Sequence, residues 1–181
     1  PRPHDGFLDG GGARAICGGR PESMAVASLD DEILLDPRVY HTINHNKNGQ
    51  GPAPLRTDAG WLHLAHGTRH TAAGLRYVLY LFMTDLAEPW RVTHRPAGHL
   101  IAPQGAERVG DVSNVVFSNG WIRNADDEVF LYYASSDTRL HVATTSVERL
   151  VDYCINTPPD SGRSASSVDA INRLIDRNNE R

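Results

Sequence analysis

The chain has 181 residues, 40% of them hydrophobic and 22% charged, with a formal net charge of −4. That is the composition of an ordinary globular domain with enough length for one core. The acidic balance excludes a general nucleic-acid binder, which carries a basic excess, and no run of about 18 apolar residues offers a membrane-spanning helix.

In chain order, segment 1–38 has no clear period. Gly10–Gly12, Gly18 and Gly19 punctuate it, so it reads as loop with room for one strand. Pro1–Arg20 lacks the apolar stretch expected of a secretory leader. Val39–Ile43 is a short β candidate, and Asn46–Pro54 is a Gly/Pro-rich loop. Gly60–Gly67 alternates, with Trp61, His63 and Ala65 opposite Leu62, Leu64 and His66, which predicts a half-buried strand. Arg76–Thr84 is a longer apolar strand, and Ser113–Ser118, Glu128–Ala134 and Leu140–Ala143 are three more. Val147–Cys154 reads as a short helix and Asn156–Gly162 as a loop. Ser164–Asn179 reads as a second helix, with Val168, Ile171, Leu174 and Ile175 on one stripe and Ser164 or Ser166 as cap.

The expected organisation is therefore an irregular segment 1–38, a β region 39–155 and a helical extension 156–181. Within the β region, Leu62–Gly67 and Val129–Ala134 echo each other at an offset of 67 residues, each followed by a polar loop and a second strand. Repeated strand–loop–strand units suggest propeller blades, about two to three of them, where a closed ring needs at least four. The chain also starts at Pro1 without Met, and the expectation is a piece of something longer. Cys17 and Cys154 are the only cysteines, too few for a disulfide framework, which fits a reducing cytoplasm.

Nine histidines raise the question of a metal. His63 and His66 fall on opposite faces of a strand, no cysteine joins them, and HExxH is absent, so no metal and no cofactor are expected. An anion site fits better. Lys47 lies in KNGQG, His66 and Arg69 in HGTR, and Arg76 and Tyr77 open the next strand; cations and a phenol converging on one point suit phosphate. Solvated loop charges at Lys47 and Arg69, with Arg76 stacked on Tyr77 or Trp61, fit the same spacing. Asp137 lies in a turn between strands, where a carboxylate either grips sugar hydroxyls or closes an Asx turn. Tyr132 and Tyr133 are placed to stack on a sugar, and Asp111 and Asn114 serve as a turn or a pocket wall. Asp58, Asp85, Asp126 and Asp127 read as turn residues. Glycosidases commonly use two carboxylates, and no pair here is marked out as such.

Three stretches carry a resemblance: Arg56–Asp85 (RTDAGWLHLAHGTRHTAAGLRYVLYLFMTD), Gly110–Gly120 (GDVSNVVFSNG) and Phe130–Thr144 (FLYYASSDTRLHVAT). They closely resemble the C-terminal half of glycoside hydrolase family 130, and the likeness runs from about Tyr40 to the end of the chain. It implies an all-β fold, part of a five-bladed β-propeller with C-terminal helices. It also implies inverting phosphorolysis of a β-1,4-mannosyl-glucose to α-mannose 1-phosphate and glucose, with inorganic phosphate as co-substrate. Lys47, His66 and Tyr77 match the family's phosphate-binding residues, and Asp137 matches the acid that holds hydroxyls of the mannosyl unit. The implied electrostatics pair the Lys47 ammonium with a protonated His66 against the phosphate charge. The family's general acid belongs to the N-terminal half, so no catalytic residue is assigned here, and Gly10–Asp30 departs from the pattern. Two other readings remain: a β-mannoside hydrolase of the same fold, which lacks the basic phosphate residues, and a non-catalytic carbohydrate-binding fragment. A half-ring leaves sheet edges open, a route to homo-oligomers.

Overall fold

The computed structural model describes residues 7–9, 16–19, 33–36, 47–72, 74–159, 173 and 175–178, with side chains from residue 47 onward. Three antiparallel sheets follow one another along the chain. The first is β1 (Phe7–Asp9), β2 (Ile16–Gly19) and β3 (Ile33–Asp36), in that order. The sequence left room for one strand there, but segments of three or four residues carry too little period to be seen before they pair. Val39–Ile43 and most of Ser164–Asn179 lie outside the described residues; 173 and 175–178 are helical.

The second sheet comprises β4 (Lys47–Gln50), β5 (Leu55–Thr57), β6 (Gly60–Thr71), β7 (Gly74–Thr84) and β8 (Val92–His94). Its order is β4-β6-β7-β8, with β5 also paired to β6. Lys47–Gln50 is thus a strand inside the stretch read as loop. Asn48 and Gly49 have weak strand propensity, but pairing with Gly67 and His66 overrides it. The third sheet is β9 (Val116–Arg123), β10 (Glu128–Ser135) and β11 (Arg139–Ser146), ordered β11-β10-β9. β9 starts three residues later than the sequence suggested and runs on through Trp121. A register shift between Tyr132 and Tyr133 leaves Asn119 without a counterpart on β10, the extra residue of a bulge.

Packing explains the burial. One face of the second sheet supplies Leu62, Leu64, Leu79, Leu81 and Met83 to a core shared with Val116, Trp121, Val129 and Leu131 of the third. The opposite face supplies Ala65, Val78, Tyr80 and Phe82 to a separate cluster with Ala102. β6 is therefore buried on both faces, where alternation had predicted one. His63 takes a core position, stacked on Phe82 at 4.4 Å with its Nε2 3.0 Å from Thr84 Oγ1. Trp121 ties the two sheets together by donating Nε1–H to the carbonyl of Ala53 at 2.8 Å.

α1 (Val147–Asn156) closes the shared core with Val147, Leu150 and Cys154. Ser146 caps it, accepting from the Arg149 N–H at 3.3 Å. The β6–β7 and β10–β11 hairpins are the two members of the sequence echo. The chain is all-β apart from its helical C-terminal part, and its unclosed succession of antiparallel sheets is what part of a propeller presents. Among the described residues no helix is long and apolar enough to cross a membrane.

Candidate active site

Strand register brings three of the candidate residues together. Lys47 lies opposite Thr68, which lies opposite Tyr77, forming one row across β4, β6 and β7. Directly paired residues in a sheet share a face, and so do residues two apart along a strand. His66 and its partner Gly49 therefore sit on the same face, one row in. The His66 ring lies 6.3 Å from that of Tyr77, nearly parallel, and 4.7 Å from that of Phe117 on β9. Phe117, 40% exposed, is a wall of this site that the sequence did not single out. Its only signal was its place in the Gly110–Gly120 match.

Gly49 makes room for the imidazole. A Cβ there would fall 2.5 Å from His66 Cε1 and 2.8 Å from Nε2. The Lys47 backbone N–H donates to Thr68 Oγ1 at 3.0 Å, pinning the strand. Burial first, and the Lys47 charge second, push the His66 pKa down to about 4. Without an anion the imidazole is therefore neutral at pH 7, whereas the expectation from the sequence is a protonated His66 facing phosphate. Such a ring offers one N–H to an oxyanion, while Lys47 supplies the charge.

Asp137 sits in the β10–β11 turn in the left-handed region, φ 52°, beside Ser136 at φ 49°. Its carboxylate is exposed and has no hydrogen-bond or ion-pair partner among the described residues, so the Asx-turn alternative does not hold. Asp85 and Asp127 sit at turns and also hold ion pairs: Asp85 accepts from the Ala87 and Glu88 N–H groups and pairs with Arg91, and Asp127, left-handed at φ 62°, pairs with Arg123.

The loop 105–114 fixes the Asp137 turn. Ser136 Oγ donates to the Glu107 carbonyl at 2.6 Å, and Arg139 Nη1 donates to the carbonyls of Ala106 and Val109. Gly110 passes too close to Ser136 for any side chain. A backbone relay joins this turn to the phosphate-type row: the Ser136 N–H donates to the Val115 carbonyl at 2.9 Å, and the Tyr77 N–H to the Asn114 carbonyl at 3.1 Å. Asn114 is itself left-handed, φ 66°. Strained residues of this kind gather at functional sites.

The tyrosines divide. Tyr133 is committed to structure: its hydroxyl donates to Glu107 Oε1 at 2.9 Å and its ring stacks on His141 at 4.9 Å. Burial and the Glu107 carboxylate push its pKa up to about 12. Tyr132 faces the other way and lines a shallow apolar groove with Ile122 and Leu140. Among the described residues no three His, Cys, Asp or Glu side chains gather in a metal-binding group.

Residues 28–156 match the family model for beta-1,4-mannooligosaccharide phosphorylase, glycoside hydrolase family 130. The chain belongs to this family. A relative described as 4-O-beta-D-mannosyl-D-glucose phosphorylase, from Bacteroides fragilis, is 55% identical over 177 residues, 98% of this chain and 45% of the relative. A beta-1,4-mannooligosaccharide phosphorylase from Ruminococcus albus is 39% identical, over 59% of this chain and 32% of that protein. Among solved structures, the Listeria innocua beta-1,2-mannobiose phosphorylase in complex with beta-1,2-mannobiose superposes with a TM-score of 0.67 at 25% identity. That match covers 82% of this chain and 41% of the other. The chain thus spans less than half the length of the relatives it matches.

Proposed function

We propose that this family 130 chain is the C-terminal half of a mannoside phosphorylase, contributing the phosphate-facing wall and one wall of the sugar site of a five-bladed propeller. The observation that carries the reading is the shared face of Lys47, His66 and Tyr77, whose polar ends are not engaged with other described residues. Lys47 is exposed, and His66 and Tyr77 are half-buried on the same face; a cation beside two donors that no other side chain engages is the arrangement that an oxyanion fits. Lys47 would neutralise phosphate charge, and His66 and Tyr77 would direct N–H and O–H donors at its oxygens. Phosphate would then meet the anomeric carbon in line. Asp137, held rigid by the 105–114 loop, would accept hydrogen bonds from hydroxyls of a β-mannosyl unit. The general acid is assigned to the N-terminal half by the family resemblance, so catalysis is a property of the two halves together. No cofactor is proposed beyond phosphate as co-substrate, and the sparse cysteines support a cytoplasmic setting.

The test is an assay for α-mannose 1-phosphate with the N-terminal half of the enzyme supplied. Lys47→Ala is expected to raise KM for phosphate by about tenfold or more while leaving that for the mannoside nearly unchanged. An unchanged phosphate KM would remove the role, and phosphate-independent release of mannose would turn the reading to a hydrolase.

A further inference from the structure

The face of β6 and β7 opposite the Lys47 row carries a second group of cations. Arg69 and Arg76 are direct cross-strand partners. Each is one residue beyond the Thr68–Tyr77 pair, so the alternation of the pleat sends both to the other side of the sheet. Like charges set directly opposite each other repel. The Arg69 Nε–H is also buried and has no hydrogen-bond partner, and such orphaned donors are rare and call for an explanation. Neither arginine has an ion-pair partner among the described residues.

The loop that follows β8 adds to the charge. Arg108, exposed and anchored by its Nε–H to the Pro103 carbonyl at 3.1 Å, brings a third guanidinium near Arg76. Desolvation, then Arg69 and Arg108, depress the Arg76 pKa. Desolvation and then Arg76 depress His99 in turn. The nearest carboxylate in the sequence, Glu107, is committed to the Tyr133 hydroxyl and the Gln104 N–H.

A fold that holds two unpaired guanidiniums side by side, one of them partly desolvated, leaves a cost that an anion would offset. Guanidinium forks match tetrahedral oxyanions, and paired forks favour a doubly charged one. We propose that Arg69 and Arg76, with Arg108 at the rim, form a second oxyanion site for orthophosphate or a phosphomonoester, separate from the Lys47–His66–Tyr77 row.

Isothermal titration calorimetry on the 181-residue chain tests this with orthophosphate, mannose 1-phosphate and acetate at matched ionic strength. Two orthophosphate sites are expected in the wild-type chain. Arg69→Gln/Arg76→Gln removes one of them, and Lys47→Ala removes the other. The arginine variant should also melt at a higher temperature without phosphate, since the repulsion is gone, and gain less from phosphate than the wild type does. Binding by orthophosphate alone, or by mannose 1-phosphate as well, tells the free anion from the ester. Phosphate binding and phosphate-induced stabilisation unchanged in the arginine variant would overturn the proposal, as would equal stabilisation by acetate, which points to a protein carboxylate as the natural partner. Should the double variant not fold, Arg69→Lys keeps the charge, removes the forked donor and is expected to weaken that site by about tenfold; unchanged affinity there counts against the site. Loss of the arginine site with no effect of Lys47→Ala leaves this inference standing and overturns the phosphate role of Lys47.

Discussion

The second and third sheets are built from similar hairpins and differ in what covers them. Both faces of β6–β7 are buried, so Leu62, Leu64, Leu79, Leu81, Tyr80 and Phe82 are nearly solvent-free. The third sheet packs one face on the second and leaves Ile122, Tyr132, Leu140 and Val142 exposed on the other. Exposure rises to 80% at Leu140. Burial in this architecture is conferred by the neighbouring sheet more than by the strand's own pattern. Covered on both sides along Leu62–Ala65 and Val78–Met83, the second sheet keeps its polar residues for the hairpin end, where His66, Arg69, Arg76 and Tyr77 are only half-buried.

Truncation should separate the two sheets most sharply. Leu81→Ala is expected to cost about 2–5 kcal/mol in urea unfolding, whereas Val142→Thr on the open face should stay within about 0.5 kcal/mol. Equal losses would mean that the outer face is covered in solution.

Acid should then act through the second sheet. Burial pushes the His63 pKa down from 6.5 to about 3, so the unfolded chain takes up a proton more readily than the folded one. The stabilisation from neutral His63 is full above pH 6.5 and is lost as pH falls toward about 3, with a slope approaching about 1.4 kcal/mol per pH unit. His66, whose pKa is pushed down to about 4, adds its own share above that pH, so His63→Phe should lower the slope by about half between pH 6.5 and 4 and by more below it; a slope as steep as wild type would place the acid-sensitive group elsewhere. A smaller loss than that at Leu81 belongs to the helix that seals the shared core. Ser146→Ala removes its cap and should cost about 1 kcal/mol, read as a lower melting temperature.

The strands with strong apolar runs, Arg76–Thr84 and Glu128–Ala134, were legible in the sequence because their period and composition agree. So was α1, whose stripe and preceding Ser146 are local signals. β4 was not legible, since Asn48 and Gly49 join the sheet only through pairing with β6. The double-sided burial of His63 and Ala65 was hidden for the same reason: alternation records polarity, not what lies beyond each face. Lys47, His66, Tyr77 and Asp137 were picked out by residue type and family likeness. The depressed basicity of His66, the aromatic wall at Phe117 and the clamp around Ser136 are products of packing that no local pattern carries.

Gly49 ends up as a part defined by what it lacks. The flat ring of His66 occupies the volume that any larger residue would claim, so the tilt of that ring is set by an empty slot on the neighbouring strand. Filling the slot with one methyl group would turn the imidazole without altering a single charge or donor in the row. Aim and chemistry are thereby controlled by different residues, and a change at position 49 would spoil the first while leaving the second intact.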